Sequence, residues 1–285
     1  MFNRRELLKS LSLVAALPAA RLAARELQVI GAQLYTVRNV LPQKPTETLH
    51  AIETIGFQEI EPTYGGLDRL WPAIQATRLK AVSVHLDNTL MNPGKEDELA
   101  RVIDQVKKWG FAYAVFPYLP PAERGGLDKF RALTDKLNRA GEKCRAVGLG
   151  FCYHNHAFEF EPMEGTTGFE VMMEGLDPNL CGFEVDCFWV SVAGHDPAAL
   201  LQKLSGRVPL LHLKDKAPGT PVMFQESVDR SAFKEVGSGV IDWPAVLRAA
   251  ASAGVQHYFV EQDQTPGDPV DSLRQSFGYL SKLRY

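Results

Sequence analysis

From residue 28 onward the chain alternates between two patterns. Short apolar runs predict strands, and longer stretches with apolar side chains every three or four residues predict helices. The strand-like runs are Gln28 to Tyr35, Phe57 to Glu61, Leu79 to Leu86, Ala112 to Phe116, Gly148 to His154, Cys181 to Phe188, Val208 to Lys214 and Gln256 to Gln262. Helical patterns follow each one. Thr46 to Ile55 is closed by Gly56, Gly65 to Thr77 carries Pro72, and Lys95 to Trp109 is followed by Gly110. Leu127 to Ala146 is the longest, with Phe130, Leu133 and Leu137 on one stripe, and Gly168 to Gly175 is short. Asp196-Pro197 opens a helix to Leu204, Asp242-Trp243-Pro244 opens one to Ala253, and Pro269 to Leu283 closes the chain. Asp as N-cap with Pro just inside is a start signal for the first of these.

Eight strand–helix units argue for a parallel sheet, and eight within this length argue for a closed (β/α)8 TIM barrel rather than an open doubly wound sheet. The one long irregular segment, Ala217 to Val240, falls between the seventh strand and its helix, on the side where loops build active sites.

Composition narrows the function. The chain has 285 residues, 45% hydrophobic and 23% charged, with a net charge of -3, which is ordinary globular composition. No basic block occurs, so a nucleic-acid partner is not expected. The four cysteines, Cys144, Cys152, Cys181 and Cys187, form no C-x-x-C pair and read as small buried hydrophobes. At the start, Asn3-Arg4-Arg5-Glu6-Leu7-Leu8-Lys9 precedes the apolar run Leu11 to Ala20. That pattern predicts a twin-arginine type signal peptide over residues 1–24, a barrel domain over 25–285, and a periplasmic or secreted protein. The apolar run is too short for a membrane span, which needs about 20 residues.

The candidate chemistry sits at the C-terminal ends of the strands. Glu61 ends the second, His85 the third, His154 and His156 follow the fifth, Asp186 ends the sixth, His212 and Lys214 the seventh, and Glu261 the eighth. In a barrel these ends converge on one mouth. Several carboxylates brought together would repel or take up protons, and a divalent cation removes that conflict. Oxygen ligands with imidazole suit Mn²⁺, Mg²⁺ or Co²⁺, with Zn²⁺ also possible.

These residues resemble a known family. Gly31-Ala32-Gln33-Leu34-Tyr35-Thr36-Val37-Arg38, Glu184-Val185-Asp186, His212-Leu213-Lys214-Asp215, Gly237-Ser238-Gly239-Val240-Ile241-Asp242-Trp243 and Phe259-Val260-Glu261 look like the sugar phosphate isomerase/epimerase family, whose barrel is xylose-isomerase-like. The likeness runs from about residue 28 to the end. It implies one divalent metal held by Glu, Asp, His and Glu from strands five to eight. Asp186, His212 and Glu261 match three of these. At the fifth strand the chain departs from the pattern, and the resemblance leads to Glu159 as the fourth ligand, with His156 the alternative. It further implies Glu261 and Glu159 as proton-transfer groups on opposite sides of a sugar, with His156 near them and Lys214 neutralising charge. His85, Glu61, Arg38, His154 and Trp189 would contact the substrate, Trp189 having barrel packing as its other reading.

The expected function is a metal-dependent sugar isomerase or epimerase that removes a proton next to a carbonyl through an enediolate. The alternative is a lyase or hydratase acting on a keto-sugar, such as a 3-keto-glycoside or keto-inositol, on the same site. A non-catalytic periplasmic sugar-binding protein is a third reading. An abasic-site endonuclease would need a basic DNA face, which the net charge of -3 opposes.

Overall fold

The computed structural model describes residues 25–285, so the expected signal segment lies outside the described residues. Among the described residues the strands are β1 (Gly31–Gln33), β2 (Glu59–Glu61), β3 (Lys80–Ala81), β4 (Ser83–His85), β5 (Tyr113–Phe116), β6 (Gly150–His154), β7 (Pro162–Met163), β8 (Thr166–Thr167), β9 (Gly182–Asp186), β10 (Leu210–Leu213), β11 (Asp215–Lys216), β12 (Phe233–Lys234) and β13 (His257–Val260). The helices are α1 (Pro45–Ile55), α2 (Leu67–Gln75), α3 (Glu96–Lys108), α4 (Leu127–Ala146), α5 (Gly168–Gly175), α6 (Cys187–Val192), α7 (Pro197–Lys203), α8 (Trp243–Ala253) and α9 (Pro269–Leu280).

The main sheet is parallel, in the order β3-β2-β1-β13-β10-β9-β6-β5-β4. Its two edges, β3 and β4, are halves of one strand interrupted at Val82. Val82 donates to Ile60 O at 3.2 Å on one side and accepts from Ala112 N at 2.8 Å on the other, which carries the ring across the break. The expected strand Leu79 to Leu86 is therefore present but changes neighbours halfway. The result is the anticipated α/β TIM barrel.

Two other differences have local causes. The sixth expected strand, Cys181 to Phe188, stops at Asp186, because the Asp186 carboxylate accepts from Trp189 N at 3.0 Å and caps an unforeseen helix, α6. The 217–240 segment is not wholly irregular, since β11 pairs antiparallel with β12. Elsewhere the start signals work as read: Asp196 caps α7 and Asp242 caps α8 through their side chains.

All four cysteines are buried and unpaired. Trp243, Phe111, Phe130, Phe183 and Phe188 are among the largest side chains in the buried layers. Among the described residues no helix is long and apolar enough to cross a membrane.

Candidate active site

A strand that points alternate side chains inward delivers residues i and i+2 to the same face. β9 therefore brings both Glu184 and Asp186 into the barrel, Glu184 one layer deeper, and both are fully buried. β6 delivers His154, β10 delivers His212, and Glu61, His85 and Glu261 arrive at the ends of β2, β4 and β13. Sequence reading places nearly all of these at strand ends, and the barrel brings them into one cluster.

The donor atoms of His154, Asp186, His212 and Glu261 all lie within 4.8 Å of one another. A second group with the same property, His85, His154, Glu184 and His212, shares two members with the first. His212 Nδ1 is 3.0 Å from Glu261 Oε2, while its Nε2 is 2.8 Å from Glu61 Oε1 and 3.3 Å from Glu184 Oε2. His154 Nε2 is 3.7 Å from Asp186 Oδ2, and its Nδ1 is 3.6 Å from Glu184 Oε2. His85 Nε2 lies 2.7 Å from Glu184 Oε2 and 3.0 Å from Glu61 Oε1. Lys214 Nζ sits 2.7 Å from Glu261, 3.0 Å from Asp186 and 3.0 Å from Asp263.

Electrostatics follow from burial and these neighbours. Burial, with Glu261 beside it, raises the Asp186 carboxyl against the pull of Lys214 and His212, and burial with the nearby Glu61 raises Glu184. Burial also opposes ionisation of Glu61, but the His85 and His212 imidazoles outweigh it and hold it well below the usual carboxylate range. Glu261 is likewise lowered, against burial, by Lys214 and His212. Burial opposes the charge on Lys214, yet Asp186, Asp263 and Glu261 keep it an ammonium. His154 and His156 go the other way. Burial, reinforced by His212 for the first and by Lys214 for the second, holds both well below the ordinary imidazole value and therefore neutral.

The residues present fit a metal ion. His154 Nδ1 and Glu184 Oε1 are buried with no hydrogen-bond partner, and a buried polar atom left so is costly, about 1–3 kcal/mol each. A mixed imidazole and carboxylate set of four suits Zn²⁺, Mn²⁺ or Co²⁺ better than an all-oxygen ion.

Glu159 is not in this cluster. Its carboxylate accepts from the Tyr153 hydroxyl at 2.6 Å and from His156 N at 2.9 Å, within a short 3-10 turn, Phe158–Phe160. Those bonds hold it behind the strand end, where burial pushes it up to about 7. The expectation that Glu159 folds back to the metal position is thus not met, and His154 stands where the resemblance placed a glutamate. His156, the alternative, is also outside the donor ring. Its ring packs against Trp189 at 5.2 Å and Tyr118 at 5.2 Å.

Above the ring is a cavity of about 560 Å³, lined among others by Arg38, His85, His156, Trp189, Lys214 and Glu261. Arg38 is held over the Tyr35 ring at 4.1 Å and donates to Asp263 O at 2.6 Å. Trp189 is buried and forms a wall, with Lys214 Nζ 5.6 Å from its ring. Glu61, by contrast, sits below the cavity among the histidines. Over the cavity, Arg124 stacks on Phe158 at 3.5 Å and donates to Glu226 at 2.9 Å, tying the loop after β5 to the long segment after β11.

Three site residues escaped the sequence reading. Glu184 was legible, since it lies two positions before Asp186 on one strand. Asp263, two positions after Glu261, lies beyond the end of β13, where alternation no longer says which way a side chain points. Gln33, whose Nε2 is 3.2 Å from His85 Nδ1, gave no signal beyond its place in the first strand.

Comparisons with known proteins bear on the fold and the family. A curated relative, inosose dehydratase of Geobacillus thermodenitrificans (strain NG80-2), is 28% identical over 163 residues, 54% of this chain and 54% of that protein. The chain thus spans about half the length of the curated relatives it matches. Among solved structures, a sugar phosphate isomerase/epimerase from Parabacteroides distasonis ATCC 8503 superposes with a TM-score of 0.75 at 22% identity, covering 90% of this chain and 96% of that one. The IOLI protein with a bound zinc atom gives 0.68 at 16% identity, covering 87% and 95%. These structural likenesses speak to the fold. Residues 49–283 match the family described as xylose isomerase-like TIM barrel, and the chain belongs to that family.

Proposed function

We propose that this chain is a divalent-metal-dependent lyase that removes a proton next to the carbonyl of a polyhydroxylated ketone and then expels a β-leaving group. The observation that carries this reading is the end of β6. An epimerase of the expected kind flanks its substrate with two carboxylates. Here that strand end supplies His154 to the donor ring and His156 to the cavity, while Glu159 is bonded to Tyr153 and His156 N. No carboxylate from that strand reaches the substrate space to return a proton to the opposite face.

His154, Asp186, His212 and Glu261 would hold the cation. When bound, it supplies Lewis-acid stabilisation of the negative charge that develops on the carbonyl oxygen as the α-proton leaves. His156 then acts as the proton acceptor. It is neutral, lines the cavity, and its Nδ1 has no hydrogen-bond partner. Lys214 remains an ammonium between three carboxylates and offers an N–H to a substrate oxygen or to the departing group. Arg38 and Trp189 bound the space that orients the ring. The part-length match to inosose dehydratase supports an elimination on a keto-cyclitol or related keto-sugar. The Arg4-Arg5 pattern supports export, which favours an unphosphorylated substrate.

The test is incubation with an inosose and a 3-keto-glycoside in deuterated water with added Mn²⁺ or Zn²⁺. Release of water or of the aglycone is expected, with little deuterium in recovered substrate. Deuterium exchange or epimer formation without elimination would replace the lyase reading with the epimerase one. Tight metal-independent sugar binding with neither reaction would point to a binding protein.

A further inference from the structure

The cluster contains more buried ionisable groups than one cation needs. Glu61 and Glu184 lie beneath the four-donor ring, His85 packs against both and reaches the cavity, and the proposed lyase chemistry uses none of them. They are nonetheless organised around its two histidines. His212 turns Nδ1 toward Glu261 and Nε2 toward Glu61 and Glu184. His154 turns Nε2 toward Asp186 and Nδ1 toward Glu184. Each imidazole therefore has one nitrogen on the cation side and one on the carboxylate side.

We infer that Glu184 and Glu61 are positioning residues. From below the ring they hold a proton on His212 Nε2 and on His154 Nδ1, so that both histidines present an unprotonated nitrogen to the cation. A neutral imidazole carries one N–H and one lone pair, and the hydrogen bond at one nitrogen decides which is which. Both nitrogens of each ring face carboxylates, but a cation held by Glu261 and Asp186 would take the lone pairs on their side, which leaves the N–H groups facing Glu61 and Glu184. His154 Nδ1 is buried with no hydrogen-bond partner and faces Glu184 Oε2 across 3.6 Å, so a small shift of either side chain would complete that bond. Carboxylate–histidine–metal relays raise ligand basicity and fix ring orientation.

The competing use of the same atoms is a second cation among His85, His154, Glu184 and His212. Gln33 argues against it. The Gln33 side-chain oxygen accepts from Tyr35 N at 2.6 Å, which turns the amide nitrogen toward His85 Nδ1 at 3.2 Å. His85 Nδ1 is thereby an acceptor and Nε2 carries the proton, donating to Glu184 at 2.7 Å. To ligate through Nε2, His85 would have to move its proton to Nδ1, against the Gln33 N–H.

The proposal rests on the reading that His154, Asp186, His212 and Glu261 hold the cation, and the experiment separates the two. Apo protein is titrated with Zn²⁺ in a calorimeter, alongside Glu184→Gln, Glu61→Gln and Asp186→Asn, with folding checked by circular dichroism. Wild type is expected to take one equivalent. Both Gln variants are expected to weaken binding by about 10–100-fold with the fold retained. In the Zn²⁺-loaded wild type, ¹⁵N spectra of the rings should show protonated Nε2 on His212 and protonated Nδ1 on His154, and Glu184→Gln should blur the latter. If Glu184→Gln fails to fold, Glu61→Gln and the wild-type ring spectra decide. Two equivalents in wild type, one of them lost in Glu184→Gln, would overturn the proposal in favour of a second cation site. Wild-type affinity in both Gln variants, with binding abolished in Asp186→Asn, would overturn positioning and leave the cation reading standing. Wild-type affinity in Asp186→Asn would overturn the cation reading itself.

Discussion

At the scale of single residues, the exchange of Glu159 for His154 matters most. In sequence, the two histidines and Glu159 are near-equivalent candidates, because strand alternation puts His154 and His156 on one face. What the pattern cannot register is that β6 ends at His154 and that the chain then enters a 3-10 turn. The turn returns the Glu159 carboxylate to the Tyr153 hydroxyl behind the strand. His154→Ala should therefore lower Zn²⁺ affinity by more than the roughly 10–100-fold lost with an outer-shell partner. Glu159→Gln should leave it unchanged, and calorimetric titration compares them; equal losses would return Glu159 to the metal shell. Glu159 has a separate expected signature. Its folded-state value, about 7, lies above the ordinary 4.5, so the folded chain holds a proton that the unfolded chain has released. Its contribution is fully present below about pH 4.5 and is lost as pH rises through about 7, amounting to up to about 3 kcal/mol. Urea denaturation from pH 5 to pH 8 should show wild type losing stability relative to Glu159→Gln. A pH-independent difference would mean that the carboxyl is ionised throughout.

Among elements, the segment after β10 separates what sequence can reveal from what it cannot. The Gly237-Ser238-Gly239 and Asp242-Trp243 motifs were visible, and α8 starts where its Asp-Trp-Pro signal says. Their common anchor was not visible, because it is a contact across more than twenty residues. The buried Asp215 carboxylate accepts from Lys216 N, Gly237 N, Gly239 N, Ile241 N and Trp243 Nε1, at 2.8 to 3.2 Å. Gly239 is required there, since a Cβ would press into the Asp215 carboxylate and the Lys216 carbonyl. The hidden helix α6 and the break at Val82 were missed for the same reason: a cap bond and a change of partner strand leave the apolar run looking continuous. Asp215→Ala leaves five donors without their acceptor, four of them backbone N–H groups. It should destabilise the protein by on the order of 3 kcal/mol or more, with Gly239→Ala also destabilising. Chemical denaturation measures both, and an Asp215→Ala loss below about 1 kcal/mol would mean that water replaces the carboxylate.

For the whole molecule, the barrel was legible because eight strand–helix alternations leave few other folds, and the mouth was legible because the barrel rule alone gathers strand ends. The depth of the cluster was not, since only the closed ring shows Glu61 and Glu184 lying under the histidines. That architecture also decides how a cation should act on stability. The aromatic and aliphatic layers around Trp243, Phe130 and Phe183 are buried independently of the site, so the fold does not need the ion to form. On the proposed reading the ion would instead bind a preformed set of donors that the unfolded chain scatters across four strands, and so would stabilise by mass action. At a free Zn²⁺ concentration 100-fold above its dissociation constant the gain is about 2.7 kcal/mol. For a domain of this size that corresponds to a rise of roughly 5 °C in Tm. Thermal melts with chelator and with graded Zn²⁺ should therefore show a cooperative transition in both, displaced upward as Zn²⁺ rises. The displacement should vanish in Asp186→Asn. Loss of the cooperative transition on chelation would make the ion part of the folding core. A displacement that survives Asp186→Asn would place the stabilising cation away from the barrel mouth.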